Sequence, residues 1–99
     1  MNNEIGSIIR QVQKPLLDKA KAHWKNNNMR PTIFADYYDL VIYLWNEKLI
    51  QDSRLSMDIL HFFNHYSRFV HIDPTSYSQY LTTKQNAEQE KNDILNKLQ

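Results

Sequence analysis

The 99-residue chain contains no cysteine, a single glycine and three prolines. Without a thiol there is no disulfide framework, no cysteine nucleophile, no Cys-ligated zinc and no iron–sulfur cluster. The lone glycine, Gly6, excludes phosphate loops and dinucleotide fingerprints, which need several glycines where backbone meets phosphate. So few glycines and prolines also leave little turn chemistry for an all-β fold. Apolar runs are short. The longest, Leu40–Trp45, falls far below the ~20 residues that cross a bilayer. Met1-Asn2-Asn3-Glu4 shows no basic stretch leading into an apolar one, so no signal peptide is expected. The corresponding expectations are a cytoplasmic location and no membrane contact.

Hydrophobic residues make up 41% of the chain and charged residues 23%, a composition of folded rather than disordered chains. A chain of this size buries about 65% of its unfolded surface, enough for one core. Residues 1–99 are therefore read as one helical domain.

Apolar spacing places four helices. Ile5, Ile8, Ile9, Val12, Leu16 and Ala20 recur at three- and four-residue steps from about Asn3 to Asn26, marking one side of a helix. Pro15 interrupts that pattern, so the segment is one kinked helix or two helices breaking near Lys14. Pro31 then opens a dense apolar stretch from Thr32 to Ile50, whose wide arc suits a central helix. After Gln51, Asp52 or Ser53 can cap a third helix carrying Leu55, Ile59, Leu60, Phe63, Tyr66 and Val70. Asp73-Pro74 stops it, and Ser76 with Gln79 has the form of a capping box for a fourth. From Thr82 to Asn92 only Ala87 is apolar, so the last helix is expected to project along part of its length, with Ile94 and Leu98 free to pair with another copy. The fold expected is an all-α compact bundle of four helices, five if Pro15 breaks the first.

Three constellations carry candidate chemistry. Asp58, His61 and His65 share one face of the third helix, two imidazoles one turn apart with a carboxylate, a spacing that can ligate a divalent metal. The intervening Phe62, Phe63 and Asn64 lack the general-base glutamate of a zinc-protease helix, and a solvated polar face explains the same residues. Asp36 and Asp39 could face one hydrolytic site, although acids in a first turn also suit the helix dipole. Ser53, Ser56 and Ser67 have no glycine-flanked elbow. No enzyme activity and no cofactor are therefore expected.

Charge is lopsided. Residues 1–30 hold six basic and two acidic residues, and residues 31–60 hold two basic and five acidic. The two segments could neutralise each other inside the fold, or the first could keep a basic face for a partner. Arg10, Lys14, Lys21 and Lys25 fall within a roughly 60° arc at 100° per residue. With Arg30 beyond the helix, and His23 and Trp24 adding stacking, this row could follow nucleic-acid phosphates.

Two Trp, six Tyr and four Phe exceed what a small core encloses. Tyr38, Trp45, Phe62, Tyr66 and Phe69, with Trp24, are the candidates for an exposed aromatic surface of the kind protein interfaces favour. The functional expectation is a small protein-binding adaptor, inhibitor or regulatory subunit whose partner is another protein or a second copy of itself, as in a homodimer. Nucleic-acid binding through Arg10, Lys14, Lys21, Lys25 and Arg30 is the alternative, and a metal site at Asp58, His61 and His65 the third.

Overall fold

The computed structural model describes residues 4–70 and 77–99. Among them are four α-helices and no strand: α1 (Glu4–Asn26), α2 (Tyr37–Asn46), α3 (Ser53–Tyr66) and α4 (Tyr77–Leu98), with one 3₁₀ turn, Ser67–Phe69, after α3. The expected stop at Asp73-Pro74, the Ser76 cap and His71 lie outside the described residues, as does the Tyr77 side chain.

α1 runs unbroken past Pro15, so there is no fifth helix. Proline inside a helix costs about 3 kcal/mol. Ile5, Ile8, Ile9, Val12, Leu16 and Trp24 are all buried along its length, each contributing about 1.5–3 kcal/mol, so packing outweighs the lost backbone bond. The helix ends in a Schellman turn. Met29 N donates to Trp24 O at 2.9 Å, and Asn28 adopts φ 52°, a left-handed conformation that asparagine tolerates better than most residues. The Asn26-Asn27-Asn28 run is thus a stop signal.

α2 is shorter than the apolar stretch that contains it. Asp36 sits in extended backbone and accepts from Asp39 N at 3.0 Å, which starts the helix five residues after Pro31. At the other end Leu49 N donates to Leu44 O at 2.8 Å and Lys48 N to Trp45 O at 3.1 Å, a second Schellman turn with Lys48 at φ 60°. α3 begins at Asp52, whose carboxylate accepts from Arg54 N at 2.9 Å and Leu55 N at 3.2 Å.

The core gathers Val12, Leu16, Ala20, Val41, Leu44, Ile59 and Ala87, all fully buried. α1 and α3 are shared supports: α2 packs on both from one side and α4 on both from the other, and α2 does not touch α4. Trp24 belongs to the interior. Its indole N–H donates to the Tyr43 hydroxyl at 2.8 Å, and its ring stacks on Phe34 at 6.0 Å.

α4 does not project. Ala87 and Ile94 are buried and Leu98 packs against the core, so Ile94 is not free to pair with another copy. The polar stretch turns inward through long side chains. Lys84 pairs with Glu4 of α1, and Lys91, only 11% exposed, reaches Gln11 Oε1 at 2.9 Å and Glu88 Oε2 at 2.7 Å. Ala87 lets the backbones approach while the lysine stems cover apolar surface. An all-polar pattern therefore conceals a docked helix.

Tyr66 is buried with its hydroxyl toward Glu90 of α4. Burial first, and then the hydrogen bond and charge of that carboxylate, push the phenol above its ordinary 10.0. The unfolded chain ionises this group near pH 10.0 and the folded chain does not, so the stability it contributes is complete below that pH and is lost as pH rises toward the folded value. Urea midpoints of Tyr66→Phe should therefore fall less steeply above pH 10.0 than those of the wild type, with a loss of about 1 kcal/mol at neutral pH for the missing hydrogen bond. Lys48→Gly relieves a side chain held at positive φ and should raise stability by about 1 kcal/mol in the same measurement.

Candidate protein-binding face

The outer side of α2 carries three large apolar side chains in the open. Tyr38 is 60% exposed, Ile42 38% and Trp45 42%. Spaced at i, i+4 and i+7, they fall within roughly 60° of one another around the helix and run about 10 Å along it. The opposite side of the same helix buries Leu40, Val41 and Leu44, while Tyr37 stacks on Phe63 of α3 at 4.6 Å. α2 is therefore apolar on both sides, and only one side is used by the fold.

Beyond this line, α3 exposes Met57 at 67%. Phe63 marks the side of α3 that meets α2, and half-buried Leu60 and then Met57 lie successively outward from it by helical phase. Ile33, in the segment leading to the Asp36 cap, is almost wholly exposed.

Of the five aromatic residues expected to form a surface, the structure leaves Tyr38 and Trp45 open. Phe62 and Tyr66 are corrections: both are buried to within 2%, because α4 covers the side of α3 they occupy. Phe69 is half-buried, its ring 5.8 Å from that of His65 and 6.4 Å from that of Tyr66. Trp24, buried under Phe34 and Tyr43, leaves the list as well. Ile42 was missing from it. Its signal was available, four residues after Tyr38 and three before Trp45, but the continuous apolar run made it look like core.

The other constellations separate. The His61 and His65 rings lie parallel at 6.0 Å, yet Asp58 is drawn to Arg54 at 3.4 Å and Lys97 at 3.8 Å. Among the described residues no three His, Asp or Glu side chains come together to hold a metal ion, so the structure does not assemble the expected triad. Asp58 and His61 instead line a cleft of about 180 Å³ between α3 and α4 with Glu90, Asp93 and Lys97. Asp36 caps α2, and Asp39 Oδ2 accepts from Ala35 N at 3.3 Å, so both carboxylates serve the helix start rather than a shared site.

The basic row is intact. Arg10, Lys14, Lys21, Lys25 and Arg30 are all exposed. Lys14 holds Asp18 at 3.4 Å, and the remaining four make no ion pair among the described residues. His23 and Trp24 do not join this row. His23 Nε2 lies 3.7 Å from the carboxylate of Glu47, the residue that ends α2, and among the described residues this is the one place where a side chain of the basic segment meets an acid of the second segment.

Exposure and burial predict opposite effects of ring removal. Phe62→Ala should cost about 3–5 kcal/mol in chemical denaturation, whereas Tyr38→Ala and Trp45→Ala should stay within about 0.5 kcal/mol of wild type. Compared with known protein families, curated proteins and solved structures, the chain matches none.

Proposed function

We propose that this is a small non-enzymatic protein-binding module, an adaptor, inhibitor or regulatory subunit, that docks a partner protein on the outer side of α2. The observation that carries this reading is the line of Tyr38, Ile42 and Trp45, three large apolar side chains exposed on successive turns of one helix. Scattered apolar residues on a surface are ordinary, but a contiguous line is a feature of interfaces. Its composition fits as well, since tyrosine and tryptophan dominate interface hot spots. α2 is held from behind by α1 and α3, so the rings are presented on a rigid support and little ordering entropy is lost on docking. Among the described residues no helix is long and apolar enough to cross a membrane, and a partner in water is the setting in which burying this line is favourable.

The test compares wild type with a Tyr38→Ala/Trp45→Ala double variant as baits in nuclease-treated native lysate, after checking that both give the same melting curve. A protein companion retained by wild type should bind the variant at least about 30-fold more weakly, the effect of losing roughly 2 kcal/mol at a hot spot. Equal retention by both baits would sink the reading.

A further inference from the structure

We propose that the outer ridge of α1 is a second, independent binding surface, one that lies along the phosphates of double-helical nucleic acid. Its basis is the arrangement of Arg10, Lys14, Lys21 and Lys25, all exposed. From Arg10 to Lys25 the helix rises about 22 Å, the length of roughly six base-pair steps at 3.4 Å each. α1 runs unbroken past Pro15 and its opposite side is buried along its whole length, so the cations form a row held by the core.

The acids of α1 do little to cancel that row. Glu4 is taken by Lys84 of α4. Asp18 is paired with Lys14, which leaves Arg10, Lys21 and Lys25 without an ion pair among the described residues, and Arg30 exposed four residues past the helix. The five acids of residues 31–60 have other partners: Asp36 and Asp52 cap helices, Asp39 accepts from Ala35 N, Glu47 meets His23, and Asp58 meets Arg54 and Lys97.

The kind of polyanion follows from what the ridge lacks. A helix that binds an anionic membrane inserts an apolar face, and the apolar face of α1 is committed to the core. Proteins that grip single strands stack bases on aromatic rings. The nearby ring, Trp24, is buried and bonded to Tyr43. A row of cations without rings reads phosphates alone, so binding is to duplex and indifferent to sequence.

The experiment is fluorescence anisotropy of a labelled DNA duplex titrated with the whole chain. About four phosphate contacts predict an affinity that falls roughly a hundredfold between about 50 and about 200 mM salt. Lys21→Gln/Lys25→Gln, both at exposed positions, should retain its melting curve and fall only roughly tenfold over the same range. Lys48→Gln, off the ridge, should match wild type. Absence of duplex binding at the lower salt, or a slope unaltered by the double variant, overturns the proposal. So does tighter binding to the single strand of the same sequence. Binding to phosphatidylserine-containing vesicles without binding to duplex overturns it in favour of a membrane surface.

Discussion

The apolar side of α1, kept in register past Pro15, is the constraint on which the rest of the molecule rests. Ile5 to Trp24 are buried against every other helix in turn. Were the helix to break at Lys14, the two halves would rotate independently, and the single groove system that seats α2 and α4 would be lost. The burial of six large side chains decides the matter against one missing backbone bond. The continuous outer ridge follows from the same cause, because a helix held together along its inner side keeps its outer residues in one row.

The sequence was most legible where one signal acted alone. The α1 stripe and the cap at Asp52 or Ser53 are local devices; the structure keeps the stripe and takes Asp52 as the cap. It was least legible where the same residues answer two demands. The Thr32–Ile50 stretch reads as one long helix by apolar content alone, and the capping of Asp36 and the turn at Lys48 trim it to Tyr37–Asn46. Phe62 and Tyr66 read as surplus rings because the polar middle of α4 suggests a helix that projects along part of its length. Once Lys84 and Lys91 anchor α4 to α1, that helix covers both rings, and the surplus shrinks to the outer side of α2.

Electrostatics divides the surface in a way that the segment charges only half disclosed. A basic first segment and an acidic second one could have neutralised each other across the α1–α2 contact. Among the described residues only His23 and Glu47 approach each other across it, at 3.7 Å. Asp36, Asp39 and Asp52 are spent at helix starts, where the dipole and the unpaired backbone N–H groups favour them, Asp58 pairs with Arg54 and Lys97, and the cations stay on the ridge. The net charge of +1 is thus an average over unlike regions.

The topology supplies its own control for the exposed line on α2. α2 and α4 occupy equivalent places, each packed on α1 and α3 from one side with its outer side open. Every exposed position of α4 from Ser78 onward is polar or charged: Ser, Gln, Thr, Asn, Glu, Asp and Lys. On α2 the exposed positions are Tyr38, Asp39, Ile42, Trp45 and Asn46, three of the five being large and apolar. A helix in this place needs no outward apolar residues to fold, as α4 shows. Nor does α2 gain stability from them, since side chains left in water contribute little burial. Packing therefore accounts for the inner side of α2 and for all of α4, but not for Tyr38, Ile42 and Trp45. On the proposed function, a partner that takes them out of water would account for them.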